Sequence, residues 1–442
     1  MDWKDYFKGK RVTLMGLGLL GRGVGDARFL AEQGVELVVT DLKSEEDLAD
    51  SLAQLKQFSN ITFRLGGHSL EDFKDRDLII KAAGVPLDSP FIAEAKKNGV
   101  PVRMSADLFM EFSGVASVGI TGTRGKSTTT HLIAHILKEA GKSVLLGGNV
   151  QGVSTLALLP QVQADSAAVL ELDSWQCQGL GEAKISPHVA VFTTFMPDHM
   201  NYYKNDMAAY FADKANIFLF QKPEDVLILG EQVMPDAKKY GFKDQILART
   251  VIARTQDIPA EWRLKIPGEH NRYDAALAAA AVRALGVEEN VIQKAIESFD
   301  GVPGRLQFLR EIKGVKIYND TTATVPEATI AALYALGDES KKNIVLIMGG
   351  ADKGLEMKGL LAEIPKYCKK VLLLAGTGTE RVKSELPGSP IYGTMAEAVG
   401  FAIEGAEDGD IVLMSPAFAS FGMFKNEYDR GDQFNKAAEK VT

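Results

Sequence analysis

The chain has 442 residues, 46% hydrophobic and 24% charged, with a net charge of −8. Such a length exceeds one ordinary core and predicts two or three domains, while the apolar content excludes wholesale disorder. The acidic balance argues against nonspecific nucleic-acid binding, so no nucleic-acid partner is expected.

In chain order, the start MDWKDYFKGKRVTLMGLG lacks the apolar run of a signal peptide, and nowhere do the roughly 18 apolar residues of a membrane span follow one another. A cytoplasmic protein without stable membrane association is expected. Residues 11–16 read as a buried strand, followed by a glycine turn, a helix over 22–33 and a strand over 35–40, a βαβ opening. Gly16, Gly18 and Gly21 of MGLGLLGRG, with Asp41 closing the second strand, form a GxGxxG signature. Read alone, it predicts a dinucleotide site with the acid on a ribose hydroxyl, or Asp41 as a simple turn residue. Strands recur at 78–81 and 115–120, with helices over 91–98 and 128–140, the alternation of an α/β fold with mainly parallel sheets. Cys177 and Cys368 stand outside any CxxC spacing and read as plain thiols of a reducing compartment.

GITGTRGKSTTT, residues 119–130, falls at a strand end and a helix start. There the N–H groups of Gly122, Thr123, Arg124 and Gly125 would cradle phosphates. Lys126 would reach the β and γ phosphates, and the Ser127 hydroxyl would bind Mg²⁺. The first glycine of the common P-loop falls on Ile120, so the pattern is a variant, GxTGTxGKST. Beyond a strand at 226–229, an alanine-rich helix runs from about 272 to 285, and FDGVPGR reads as a Gly/Pro hinge. Strands at 315–318, 344–348, 371–374 and 411–414 then alternate with helices, the last over 433–441. The seams fall near residues 104 and 301.

The P-loop variant and the motifs downstream of it resemble the Mur ligase family, and within it the branch that adds D-glutamate to UDP-N-acetylmuramoyl-L-alanine. The resemblance covers nearly the whole chain. It implies ATP as the nucleotide, held at Gly122, Thr123, Arg124, Gly125, Lys126, Ser127 and Thr128. The family's acidic Mg²⁺ ligand is matched by Glu171 in VLELDSWQ. Its second metal site is matched by His199 in FTTFMPDHMNYY and Lys214 in YFADKANIF, 15 residues apart, with Lys214 expected to be carbamylated. Carbamylation needs a neutral amine, which a low-dielectric or cationic surrounding favours. Two Mg²⁺ sites are thus implied, on Ser127, Glu171, His199 and Lys214, with Lys126, His199 and Lys214 as the catalytic groups. Thr194 and Met196 stand where the family has Asn-x-Thr. GEHN matches the family's base-and-ribose segment at His270 and Asn271, with Arg305 and Asp320 from the last domain, so that domain closure would complete the ATP site. Without the resemblance, Asp320 would cap the following helix. Asp274 and Thr322 depart from the family's usual asparagine and lysine.

The same resemblance turns the N-terminal signature toward the UDP of a sugar nucleotide. Gly16, Leu17, Gly18, Leu19 and Leu20 would face the diphosphate, and Asp41 and Leu42 the uracil end. Gly84 in KAAGVP would line the pocket, and Asn149 in LLGGNVQG would contact the sugar nucleotide. SPAFASFGMFKNEYDRG resembles a family motif at Ser415, Ser420, Lys425, Asn426 and Arg430. Thr324, Lys353, Ser420 and Tyr428 are implied for glutamate, an anion that needs a cation and hydrogen-bond donors. The DNPR signature of the diaminopimelate-adding branch is absent, which favours glutamate. The implied fold class is α/β in three domains: a Rossmann-like N-terminal UDP-binding domain (1–104), a central P-loop ATPase domain (105–301) and a C-terminal Rossmann-like α/β domain (302–442) that takes the amino acid. A monomeric ligase of peptidoglycan precursor synthesis, working through an acyl phosphate, is expected. The alternatives are a Mur-type ligase for another amino acid or a nicotinamide-dependent oxidoreductase.

Overall fold

The computed structural model describes residues 2–441 and contains three sheets. The first comprises β1 (Arg11–Met15), β2 (Glu36–Asp41), β3 (Ile61–Leu65), β4 (Leu78–Lys81) and β5 (Val102–Arg103), ordered β3-β2-β1-β4-β5 and parallel throughout. The second comprises β6 (Ala116–Thr121), β7 (Ser143–Gly148), β8 (Ser166–Glu171), β9 (Val189–Phe192), β10 (Val226–Gly230) and β11 (Arg249–Ala253). It is also parallel, ordered β11-β10-β9-β6-β8-β7. The third comprises β12 (Gln307–Ile312), β13 (Val315–Asn319), β14 (Ile344–Gly349), β15 (Cys368–Leu374), β16 (Ile391–Tyr392) and β17 (Ile411–Met414) in the order β12-β13-β17-β14-β15-β16. Only its β12–β13 pair is antiparallel.

The inner strands are apolar on both faces, as helices on both sides of a parallel sheet require. VLILG in β10 and IVLIMG in β14 are buried along their whole length. Strand β3, ITFRL, alternates instead because it lies at an edge. That alternation, with an arginine in it, hides β3 from a search for apolar runs, and β7, β9, β11 and β12 are likewise additions to the sequence reading. The last helix, Glu427–Lys440, begins six residues before the expected 433, because the Asn426 side chain caps it by accepting from the Tyr428 and Asp429 N–H groups.

In the first sheet the chain leaves β1 toward β2 and β3, then returns to the other side at β4. In the second it leaves β6 toward β7 and β8, then crosses to β9. Crevices open at the carboxyl ends of the strands at such reversals, and ligands bind there in open α/β sheets. The GxGxxG turn follows β1 and the P-loop follows β6, so both motifs sit at a reversal.

The chain divides into two compact units, residues 2–260 with 274–296, and residues 261–273 with 297–441. The first unit carries two sheets, and the buried Asp26 joins them. Its carboxylate, on the helix Arg22–Glu32, accepts from the Ser105 hydroxyl at 2.8 Å and the Ser154 hydroxyl at 2.6 Å. Burial raises its pKa to about 6 against those two hydrogen bonds. Asp26→Ala strands both hydroxyls and should lower stability by about 2 kcal/mol. Asp26→Asn keeps an acceptor and should cost less, as chemical-denaturation midpoints would show; equal losses would mean that the serine contacts contribute nothing.

Candidate active site

The P-loop is held from one side by the segment that follows β9. The Thr194 hydroxyl accepts from the Arg124 N–H at 2.8 Å, and the Thr193 hydroxyl donates to the Arg124 carbonyl at 2.6 Å. The Thr123 N–H reaches the Thr194 carbonyl at 2.8 Å, and the Met196 N–H the Thr123 hydroxyl at 3.1 Å. Gly122 makes this approach possible, since a Cβ there would overlap the Thr193 hydroxyl and its φ is +142°. Two N–H groups assigned to phosphate in the sequence reading, those of Thr123 and Arg124, are therefore turned to Thr194. The N–H groups of the first turn of the helix Lys126–Glu139 lack intrahelical acceptors and carry the positive end of the dipole. Gly125 caps that helix at φ +85°, with the Asp274 carboxylate beside it. Lys126 lies back on the loop, donating to the Gly122 and Thr123 carbonyls at 3.0 and 3.2 Å.

Lys214 comes from the helix Met207–Ala215 and is 2% exposed. Its Nζ donates to the Gly122 carbonyl at 2.9 Å and lies 5.0 Å from the centre of the Tyr210 ring. Burial, reinforced by the charge of Lys126, lowers its pKa to about 7, so a neutral amine is accessible near neutral pH. His199 has left-handed backbone (φ +54°), and its ring stacks at a tilt on Trp175, centroids 4.6 Å apart. Burial holds the imidazole below its usual value while the Asp198 charge pulls the other way. Burial pushes Asp198 itself upward, but His199 and Arg124 outweigh it, the latter through an ion pair at 2.9 Å. Glu171 is buried at the end of β8, where its carbonyl accepts from the Asn149 N–H at 2.6 Å. Ser127 and His199 thus follow β6 and β9, Glu171 closes the neighbouring β8, and the Lys214 amine reaches the same strand ends. Among the described residues no three His, Cys, Asp or Glu side chains gather as a metal-binding group. The implied ligand set has two such side chains, Glu171 and His199, beside a hydroxyl and a lysine.

A cavity of about 390 Å³ opens beside the GxGxxG turn, lined by Gly16 to Leu20, Asp41 and Gly84 among others. Asp41 accepts from the Leu17 and Gly18 N–H groups at 2.8 and 3.0 Å and from the Lys43 N–H at 2.9 Å. Its carboxylate therefore shapes the turn itself, as the simple turn reading expects. Leu19 and Leu42 are exposed, Leu42 to 72%. Asn149 is brought to the same region, its side-chain oxygen accepting from the Arg22 guanidinium.

In the second unit Asp320 follows β13 and does not cap the next helix. Its carboxylate accepts from the Leu306 N–H at 3.0 Å and the Ser415 hydroxyl at 2.8 Å, and burial raises its pKa to about 7. The helix Pro326–Leu336 starts with Pro326 at its first turn and has no side-chain cap. Arg305 is exposed, and Asn271 is buried, donating to the Pro267 carbonyl at 2.7 Å. Lys353 and Thr324 are brought together, Nζ to hydroxyl 3.3 Å. Ser420 is buried, and Tyr428 lies half-buried in the first turn of the last helix.

Three family models match the chain: the Mur ligase MurD-like N-terminal domain over residues 10–104, the Mur ligase middle domain over 120–282, and the Mur ligase glutamate ligase domain over 304–418. Relatives include the UDP-N-acetylmuramoylalanine--D-glutamate ligases of Roseiflexus sp. (strain RS-1), 36% identical over 98% of this chain and 99% of that one, and of Borreliella burgdorferi (strain ZS7), 34% identical over 99% of both. The chain belongs to the Mur ligase family. Among solved structures, the UDP-N-acetylmuramate-alanine ligase of Thermotoga maritima shares the fold with a TM-score of 0.62 at 18% identity, over 98% of this chain and 100% of that one. The MurF ligase of the same organism, solved with ADP, gives 0.58 at 17% identity over 84% and 97%.

At these sites of this Mur ligase the structure adds three residues to those named from sequence. Thr193 joins Thr194 in clamping the P-loop, while Arg22 and the buried Lys81 line the N-terminal cavity. A threonine after an apolar strand carries no signal alone. A lysine closing the apolar run LIIK does carry one, since a charge at a buried strand end asks for a reason.

Thr194→Val removes the acceptor of the Arg124 N–H and should weaken nucleotide binding about 10-fold by calorimetry; an unchanged affinity would show that the loop holds its shape without it. The depressed Lys214 pKa also has a signature. Between about pH 7 and the ordinary 10.5 the unfolded chain keeps a proton that the folded chain has released, so stability rises with pH across that window. Lys214→Met should flatten the rise in denaturation midpoint between pH 7 and 9, and identical slopes would mean that the folded chain keeps the proton.

Proposed function

We propose that this Mur ligase adds D-glutamate to UDP-N-acetylmuramoyl-L-alanine, with ATP consumed to ADP and phosphate, in cytoplasmic peptidoglycan precursor synthesis. The observation that carries the reading is the buried Lys214 amine on the Gly122 carbonyl, a lysine kept near neutrality beside a phosphate loop. The names of the Roseiflexus and Borreliella relatives supply the substrate pair. The family match of residues 10–104 and the names of these relatives favour UDP over a nicotinamide cofactor at the N-terminal turn.

The assignments follow the sites. Gly122 to Thr128 hold the ATP phosphates, mainly through the first helical turn and Lys126, with Asn271, Arg305 and Asp320 as further ATP contacts. Gly16 to Leu20, Asp41, Leu42, Gly84 and Asn149 take the UDP-sugar, and Thr324, Lys353, Ser420 and Tyr428 take the glutamate. Domain seams near 104 and 301 separate these three tasks, and the active form is a monomer. The Ser127 hydroxyl and Glu171 carboxylate are the hard oxygen donors that Mg²⁺ prefers. His199 and Lys214 would hold a second Mg²⁺, the lysine as its carbamate, and the two ions would supply positive charge to the phosphates.

The reaction divides into two steps. The L-alanyl carboxylate oxygen attacks the γ phosphorus of ATP, the bond to the β–γ bridging oxygen breaks, and ADP leaves behind an acyl phosphate. Lys126 offsets the charge of two approaching anions. The deprotonated glutamate amine then attacks the acyl carbon, and the C–O bond to phosphate breaks as the amide forms. Phosphorylation is required because an oxygen dianion is a poor leaving group whereas phosphate is a good one.

Phosphate release measured with ATP, Mg²⁺ and UDP-N-acetylmuramoyl-L-alanine should respond to D-glutamate and not to L-glutamate or L-alanine, with a heavier UDP product by mass spectrometry. Stimulation by another amino acid alone would overturn the specificity, and no stimulation by any would overturn the ligase reading. Carbamylation has its own readout: after equilibration with ¹³C-bicarbonate, a carbamate carbon signal should be present in the wild type and absent in Lys214→Arg.

A further inference from the structure

Lys81 closes β4, an otherwise apolar strand, yet it is 2% exposed and lines the cavity beside the GxGxxG turn. Its Nζ donates to the Val85 carbonyl at 3.1 Å, one neutral acceptor for a group with three donors. The carboxylates that act on it from a distance are each engaged elsewhere. Asp107 binds Arg103 at 2.8 Å, Asp213 accepts from Gln178 at 2.6 Å, Asp173 caps the Gln176 N–H at 2.8 Å, and Glu182 pairs with Lys96 at 3.0 Å. Two carboxylates line the cavity itself. Asp26 is taken by Ser105 and Ser154, and Asp41 by the backbone of the turn. On the same cavity Arg22 occupies the first position of its helix, where a cation opposes the dipole; its guanidinium meets the neutral Asn149 amide oxygen, and its charge also acts on the Asp26 carboxylate, whose hydrogen bonds go to Ser105 and Ser154.

A buried ammonium without a carboxylate partner is costly, and a cation at a helix N-terminus is misplaced, unless an anion joins them. We propose that Lys81 is a binding residue for the diphosphate of the UDP-sugar, with Arg22 as the second cation. The inference rests on the reading of this cavity as the UDP-substrate site. The anion enters a cavity whose N–H groups at Leu17 and Gly18 are already committed to Asp41, so side-chain cations supply charge that the turn does not. A nucleoside diphosphate fits this chemistry, and a nucleoside without phosphates gains nothing from it.

The test compares binding of UDP and of uridine to the full chain by calorimetry, for the wild type, Lys81→Met and Lys81→Arg, with KM for UDP-N-acetylmuramoyl-L-alanine and for ATP alongside. Lys81→Met should weaken UDP by about 10- to 100-fold, the range of a charged hydrogen bond, and leave uridine affinity as it was. KM should rise for the UDP-sugar and not for ATP, and Lys81→Arg should recover much of the loss. Removing an unpaired buried charge should keep or raise the melting temperature, whereas a structural role would lower it and weaken UDP and uridine alike. An unchanged UDP affinity in Lys81→Met overturns the assignment. A wild type that binds neither UDP nor the UDP-sugar overturns the reading of the cavity, and the inference falls with it.

Discussion

The approach of the P-loop to the segment after β9 is the constraint on which the central site depends. Two backbone carbonyls, three backbone N–H groups and three threonine hydroxyls interlock across it, and the fit exists only because residue 122 lacks a Cβ. The clamp fixes where the Gly122 carbonyl points, and Lys126 and Lys214 both donate to that one oxygen. The mutual repulsion of two amines on one acceptor is part of what lowers Lys214, after burial. The shape of the loop therefore also sets the state of the amine beside it. The segment that supplies the clamp runs on to Asp198 and His199, so the same contacts set the start of the second proposed metal site.

Local signals were legible in the sequence, and distant ones were not. The P-loop and its helix could be read because glycine, lysine and serine act within a few residues of one another. Most buried strands could be read from apolar runs; β3 escaped because it alternates, and β9, VAVF, escaped although it is buried throughout. Asp320 shows the limit of local reading. Its place before a helix suggests a cap, but its oxygens are used by Leu306 and by Ser415, 95 residues away in sequence. Asp41 shows another limit, because an acid closing the second strand of a GxGxxG unit is equally at home on a ribose or on the turn's own N–H groups. In the folded chain its oxygens accept from the Leu17 and Gly18 N–H groups, a use that the letters do not reveal.

Three buried cations illustrate how one physical difficulty takes three forms. Arg430 is fully buried, and its planar fork donates to the Thr321 and Phe418 carbonyls and to the Thr321 hydroxyl; burial lowers its pKa to about 10 against the pull of Glu427, so the charge stays. It ties the last helix to the loop after β13, a structural task that needs no ligand. Lys214 has fewer acceptors and a cationic neighbour, and it falls to about 7, where the charge can be given up. Lys81 lies between them. Burial lowers it to about 8, against the pull of Asp173, Asp107, Asp213 and Glu182, so it remains largely charged at neutral pH with one carbonyl to satisfy it. Donor geometry thus separates a scaffold from a site. A guanidinium can be satisfied by backbone carbonyls arranged around its plane, whereas an ammonium left with one acceptor at a cavity wall keeps donors to offer. The strain of holding that charge at the cavity wall is relieved only when an anion enters, so its cost in the free chain becomes selectivity for a charged ligand over a neutral one of the same shape.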